Sequence, residues 1–236
     1  MYSIVLPVYN EKDNLKILIP EIFGIINFVK VEVIIIDDDS DDGTEIFVNT
    51  ELSKYEHLVY VNRKNENRSL GISVGEGINI SKFDNIILMD CDLSHGLEDV
   101  VNLIKLHQNK NYDLICCSRF LDKRPNGFFL RYHLSKIYNY ILKPFLSLPV
   151  LDNLSGFFLV KKKLLNDLKF DKIFYGYGDY YFRLLYYLNK KKISIIEMGF
   201  VWKDRKYGKS KTKFMKIFYN YTLEAIKLRI KTLYEK

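Results

Sequence analysis

Short β-branched runs alternate with longer stretches of helical period along nearly the whole chain, and this alternation constrains the fold more than any other feature. The strand-like runs are "YSIVLP" (2–7), "VEVIIID" (31–37), "HLVYVN" (57–62), "NIILMD" (85–90), "DLICCSR" (113–119), "GFFLVK" (156–161) and "ISIIEMGF" (193–200). Helical patterns lie near 11–28, 43–54, 72–81, 97–109, 130–147, 177–190 and 212–232. Strand-then-helix order predicts a mainly parallel sheet flanked by helices, with ligands at the carboxyl ends of the strands. No repeat, low-complexity segment or Pro/Gly-rich linker interrupts it. The expected organisation is one α/β domain over 1–205, followed by a basic loop and amphipathic helix over 206–236.

Polar residues gather where the strands end: "PVYNE" after the first, "DDDSDDGT" after the second, "DCDLSH" after the fourth and "SRF" after the fifth. In a parallel sheet all four clusters fall on one edge. Asp90 and Asp92 close an apolar run, and burying an unpaired carboxylate is costly, so the pair belongs at a mouth where a cation meets it. Across the end of a strand, alternate side chains point to the same side, so both carboxylates can face one cation. Mg²⁺ or Mn²⁺ suits such hard oxygen ligands and completes its shell with water and substrate phosphate. In "DDDSDDGT", Asp41, Asp42 and Gly43 read as a solvated turn and helix cap. Asp37 and Asp38 directly follow the apolar strand, where a carboxylate is able to accept from a nucleobase or ribose. Beside them Tyr9 can stack on a base, and Glu11 can take a ribose hydroxyl or simply complement a helix dipole. "NRSLGISVGEGIN" (67–79) lacks the Gly-Lys-Ser/Thr ending of a phosphate loop, so Gly71, Gly75 and Gly77 are expected to serve close helix–sheet packing.

Charge is uneven. From Lys203 onward there are eleven Lys or Arg against three acidic residues, a net +8 against +7 for all 236 residues. A basic tail favours phosphate-bearing partners. Nucleic acid is not the expected one, because the cations sit in one tail and the Asp clusters repel phosphate without a metal. Three Cys, two adjacent at Cys116 and Cys117, make neither a disulfide framework nor a zinc site. The opening "MYSIVLPVYN" lacks the pattern of a signal peptide, and no run reaches about 18 apolar residues, so a cytoplasmic protein without a membrane span is expected. Residues 128–151 are apolar and broken by Pro144 and Pro149. The tail repeats Phe214, Phe218, Tyr221, Ala225 and Leu228 at helical spacing with lysines between. Both segments are candidates for lying in a membrane interface, or for packing on the catalytic core.

Taken in order, the clusters resemble the inverting glycosyltransferases of family 2, and within them the dolichyl- and polyprenyl-phosphate sugar transferases. "IVLPVYNEKDNL" is similar to that family's opening strand and turn. "IIIDDDSDDGT" resembles its Asp-Asp-Gly-Ser-Pro-Asp-Gly-Thr, with Asp39 and Asp41 replacing Gly and Pro. "SLGISVGEGI" looks like its Gly-Leu-Gly-x-Ala segment, and "MDCDLSH" like its metal motif, with Gly96 and Leu97 where Pro-Pro is usual. "LSGFFLVKKKLL" and "DRKYGKSK" complete the series.

The resemblance implies the GT-A, Rossmann-like nucleotide-diphospho-sugar transferase fold. It implies transfer of a mannose- or glucose-type hexose from a GDP- or UDP-sugar to a polyprenyl or dolichyl phosphate at the cytoplasmic membrane face, with Mg²⁺ or Mn²⁺. Pro7, Tyr9, Glu11, Asp38 and Asp90 would hold the nucleotide sugar, and Asp90, Asp92 and Ser94 the metal. Arg205 and Lys211 would close over the diphosphate. Arg119, Arg131 and Ser135 match acceptor-phosphate positions. The enzyme would be peripheral at the membrane surface, and a small membrane-anchoring subunit is a further conceivable partner. Relatives that glycosylate a sugar hydroxyl, as in surface polysaccharide synthesis, use an acidic base at the start of the helix near 177–190. Asp179 stands there, either as that base or as an ordinary first-turn Asp.

Overall fold

The computed structural model describes residues 1–64, 66–121, 129–203, 205, 207 and 214–234, apart from the side chains of 129, 131, 214 and 232–234. Seven strands form one sheet: β1 (Tyr2–Val8), β2 (Val31–Asp37), β3 (Leu58–Asn62), β4 (Asn85–Leu88), β5 (Leu114–Ser118), β6 (Phe158–Lys161) and β7 (Ile195–Gly199). The helices are α1 (Lys12–Ile25), α2 (Thr44–Phe47, continued by a π turn over Val48–Leu52), α3 (Leu70–Ile80), α4 (Leu97–Lys110), α5 (Phe129–Leu146), α6 (Tyr180–Asn189) and α7 (Phe214–Tyr234). Every expected element is present within a few residues of its expected bounds.

The strand order is β3-β2-β1-β4-β6-β5-β7. β6 runs antiparallel to both β4 and β5, and the other neighbours are parallel. β1, β2, β4 and β5 therefore end on the same edge, as the clustering of polar residues required. The order reverses between β1 and β4, the crevice where open α/β sheets receive ligands.

Both faces of the sheet are covered, which is why β1 and β2 read as continuous apolar runs rather than alternating ones. Val5, Ile34 and Ile36 face a core shared with α3, α6 and the inner sides of α5 and α7. Ile4, Leu6, Val33 and Ile35 face the other, built with α1 and α4. Gly77 lets α3 lie against the sheet: a Cβ there would come within 2.4 Å of Val5 Cγ1. At Gly75 it would meet the Phe174 side chain at 2.6 Å. Cys91, Cys116 and Cys117 are buried free thiols.

α7 departs from the expected stripe. Tyr221, Ala225 and Leu228 are buried in the core, whereas Phe218 is exposed. A second apolar row, Met215, Tyr219, Leu223, Ile226 and Ile230, faces solvent. α5, which touches α7 through Tyr138 and Phe218 (ring centroids 4.9 Å apart), likewise exposes Leu130, Leu134, Ile137 and Ile141. Among the described residues no helix is long and apolar enough to cross a membrane.

Candidate active site at the strand-order reversal

β1 and β4 separate at their carboxyl ends, and the backbone shows why. Val5 and Pro7 face the β4 side; Val5 O accepts from Met89 N at 3.4 Å. Two residues on, Pro7 has no N–H to offer, β4 has already ended at Leu88, and the Pro7 carbonyl accepts from the Cys91 thiol at 3.6 Å. Pro is tolerated in a central strand because the ladder on that side has stopped. Pro7 is itself buried, so it shapes the crevice rather than lining it.

Because β4 ends at Leu88, the expected alternation of Asp90 and Asp92 along a strand does not hold. A tight turn arranges them instead, with Leu93 at φ +63°. Asp92 turns inward and its Oδ1 accepts from Ser94 N at 3.0 Å. Asp90 stays exposed, and its backbone N–H donates to His95 Nδ1 at 3.1 Å. His95 is buried between Phe157 (ring centroids 4.6 Å, stacked) and Phe200. Burial holds its pKa down to about 4, so the ring is neutral and Nδ1 is free to accept. His95 thus anchors the turn, a role the sequence pattern did not assign.

Glu11, at the start of α1, reaches the same crevice, where Arg205 joins it to Asp92. Arg205 donates to Asp92 Oδ2 at 2.9 Å and lies 3.6 Å from Glu11 Oε1. The segment after β7 delivers it: Phe200 N donates to Ser118 O at 3.2 Å and Lys203 N to Ser94 O at 3.1 Å. Although the Asp90 side chain keeps contact with solvent at the crevice mouth, the protein crowded around its carboxyl and the negative charges of Asp92 and Glu11 push it up to about 7, against the pull of Arg205. A crowd of carboxylates that holds a proton near neutrality is a site that favours added positive charge.

The donor set agrees with a hard divalent ion. Among the described residues no group of three or more His, Cys, Asp or Glu gathers as a metal cage. Mg²⁺ and Mn²⁺ do not need one, since water and phosphate supply the rest. The Ser94 hydroxyl is buried beside Asp92 with no hydrogen-bond partner among the described residues, an orphaned oxygen at the spot where a ligand is wanted.

Asp37 and Asp38 separate in role. Asp37 is fully buried and spent on its own turn, accepting from Ser40 N at 3.0 Å, Ser40 Oγ and Tyr60 Oη (2.7 Å), so it has no part in holding a base. Asp38 pairs with the buried Arg63 and accepts from Ser69 N, at the start of α3, at 2.7 Å. Burial lifts its pKa while Arg63 pulls the other way. Asp38 therefore fastens the start of α3 to the carboxyl end of β2. The turn after it needs a left-handed residue, supplied by Asp39 at φ +61° where the resembled motif has Gly. Tyr9 does not present a bare ring: the Arg68 guanidinium lies over it, 4.1 Å from its centroid.

On the far side of β4, Arg119 and Ser135 come together, with Arg119 Nη2 3.4 Å from Ser135 Oγ. Arg119 is chiefly engaged by a residue the sequence reading passed over, the fully buried Asp152. It donates to that carboxylate from Nε at 2.8 Å and Nη2 at 2.7 Å, and from its own backbone N–H at 3.0 Å. Only the position of Asp152, in a loop before "GFFLVK", marks it in the sequence. Arg131 lies on α5 with its side chain outside the described residues, as is Lys211.

Asp179 is buried at the start of α6. Its Oδ1 accepts from Tyr177 N at 2.8 Å, and its Oδ2 pairs with Arg183, which is also fully buried. A carboxylate bound at both oxygens is poorly prepared to take a proton from an acceptor.

Comparison with known proteins bears on these features together. The family model described as "Glycosyl transferase family 2" matches residues 3–169. A dolichol-phosphate mannosyltransferase of Pyrococcus furiosus is 30% identical over 92% of this chain, which spans 60% of that relative's length. A dolichol-phosphate mannosyltransferase of Saccharomyces cerevisiae is 33% identical over 46% of this chain and 42% of its own. Among solved structures, glucosyl-3-phosphoglycerate synthase from Mycobacterium tuberculosis, in complex with Mn²⁺ and UDP-glucose, superposes with a TM-score of 0.71. It is 18% identical and the match covers 97% of this chain and 78% of that one. That likeness establishes the GT-A fold.

Proposed function

The chain belongs to glycosyl transferase family 2, and from that premise we propose that it moves a mannose- or glucose-type hexose from a GDP- or UDP-sugar to a polyprenyl or dolichyl phosphate, with inversion. The observation that carries this reading is the meeting of Glu11, Asp90, Asp92 and Arg205 in the crevice between β1 and β4, with the Arg119–Ser135 pair beside it. The names of the two mannosyltransferase relatives support the lipid-phosphate acceptor, and the Mn²⁺–UDP-glucose complex on the same fold supports the donor class and the cation.

Asp90, Asp92 and Ser94 would hold Mg²⁺ or Mn²⁺, which neutralises charge on the departing diphosphate. Arg205, now bridging Asp92 and Glu11, would trade those carboxylates for the diphosphate, with Lys211 as its companion. Glu11, Tyr9 and Asp38 would bound the nucleoside, with Arg68 moving off the Tyr9 ring or closing on the base from above. The acceptor phosphate is already an anion, with a second pKa of about 6. One of its oxygens attacks the anomeric carbon as the bond to the diphosphate oxygen breaks, and the bonding pair leaves with the diphosphate. No proton has to be removed, so the task is alignment. Arg119 and Asp152 together carry no net charge. Arg119 and Ser135 would therefore hold the phosphate by directed donors, with Arg131 adding charge. The engaged oxygens of Asp179 speak against a glycan hydroxyl as acceptor, since that chemistry needs a free base.

The lipid surface would meet the exposed apolar rows of α5 and α7. Exposed Lys216 and Arg229 stand among them, each worth up to about 1 kcal/mol near anionic lipid. Ser135 belongs to the same helix as exposed Leu134 and Ile137, so the acceptor site and the apolar face adjoin.

The test is incubation of the purified protein with Mn²⁺ and labelled GDP-mannose, UDP-glucose or UDP-N-acetylglucosamine, offered either polyprenyl phosphate or oligosaccharides. Labelled lipid phosphate is expected; label on oligosaccharide alone overturns the reading.

A further inference from the structure

Away from the crevice, a buried polar cluster that the chemistry above does not use lies between α6, α7 and the segment 173–179. Its centre is Arg183, with no solvent exposure. Arg183 donates to Ile173 O at 2.9 Å and to Tyr175 O, pairs with Asp179, and lies face-on to the Tyr175 ring at 3.6 Å. From α7, Glu224 comes within 3.5 Å of Arg183 and accepts from Tyr175 Oη at 2.5 Å. Glu224 occupies a largely buried position near the stripe of Tyr221, Ala225 and Leu228. Packing alone would be met there by an apolar residue without the cost of desolvating a carboxylate. One turn earlier, Tyr221 Oη sits so close to Gly178 that a Cβ there would approach it to 2.4 Å.

The same segment bears on the nucleotide side. Gly176, at φ +72°, turns its carbonyl to accept from Ser69 Oγ at 2.9 Å and Gly71 N at 3.2 Å. A Cβ on Gly71 would fall 2.4 Å from Tyr175 O, so the first turn of α3 rests directly on the Tyr175–Gly176 backbone. Ser69 N in turn donates to Asp38. An unbroken run of contacts thus leads from the inner side of α7 to Asp38.

We propose that Glu224 is a positioning residue for the nucleotide site. It fixes Tyr175 and Arg183, hence Gly176, hence the N-terminus of α3 and Asp38. The seating of α7 is thereby tied to donor binding, a consequence that rests on the transferase reading above.

Hydrogen exchange on the full chain tests the junction without any ligand. In Glu224→Gln, amides of 69–72 are expected to exchange about fivefold faster, at the lower end of usual couplings between sites, while those of β1 and β2 stay as in the wild type. The dissociation constant for whichever of UDP or GDP binds in Mn²⁺ should rise by about the same factor. Lys227→Ala, which removes only the exposed partner of Glu224, should change neither. Wild-type exchange at 69–72 in both Glu224→Gln and Glu224→Ala overturns the proposal. So does a uniform acceleration through all regions that merely tracks a lower Tm, since that is a general loss of stability. If the wild type binds neither nucleotide, the donor reading falls by itself and the exchange result still decides the junction.

Discussion

Replacing Asp152 by Asn tests the least conspicuous part of the site. The substitution keeps size and shape but removes the charge from a fully buried group that faces three donors of Arg119, its Nε, Nη2 and backbone N–H, at 2.8, 2.7 and 3.0 Å. Asn retains one acceptor oxygen, and its amide nitrogen points a donor at donors. Breaking one partner of a buried ion pair costs about 3–5 kcal/mol, mainly because the remaining charge loses its compensation. At about 2–4 °C per kcal/mol for a chain of this size, Tm should fall by about 10 °C. Differential scanning calorimetry reads that fall. A double-mutant cycle with Arg119→Met and Asp152→Leu should cost clearly less than the two single changes added, because no orphan charge remains. If Asp152→Asn melts within about 2 °C of the wild type, a loss near 1 kcal/mol or below, Arg119 is not held as described and its assignment to the acceptor side loses its basis.

Asp92→Asn should abolish transfer while leaving Tm near that of the wild type, and near-normal turnover in a sugar-transfer assay would remove Asp92 from the metal site. Gly77→Ala forces a Cβ against Val5 and Ile36 and should cost about 1–3 kcal/mol in urea unfolding as α3 is pushed from the sheet. His107, buried against Tyr2 with Nδ1 3.0 Å from its hydroxyl, has its pKa lowered, chiefly by burial and then by Lys161. The unfolded chain therefore binds the proton first, and stability drops as pH falls below about 6.5; His107→Leu should flatten Tm against pH on that acid side. Ile137→Asp combined with Ile226→Asp should abolish cosedimentation with anionic phosphatidylglycerol vesicles, and undiminished binding would move the lipid contact elsewhere.

Strand positions were legible because buried β-branched runs are continuous and helices interrupt them at regular intervals. The direction of β6 was not, since residue pattern carries no sign for which way a strand points. The crevice acids were found through their place after apolar runs, yet the reason offered for Asp90 and Asp92, strand alternation, gave way to a turn built around Leu93 and His95. Asp37 was indistinguishable from Asp38 by sequence, and only Ser40 and Tyr60 show that it faces inward. Asp152 escaped because its partner is 33 residues earlier and no local pattern joins them. In α7, periodicity revealed an apolar stripe but did not say which of two such stripes the protein would claim. Tyr221, Ala225 and Leu228 went inward, and the overlooked row was left facing water.

The proline in β1 has a kinetic corollary. Two adjacent strands whose backbones can still bond tend to zip together whenever a ligand departs, and the next ligand must then wait for them to part. Here the missing amide hydrogen removes one of the two backbone bonds by which β1 could rejoin β4 beyond Leu88. The parting of the two strands is thus written into the covalent chemistry of the polypeptide, and what spans the crevice is a side chain, Arg205, which can swing aside without any backbone bond being broken.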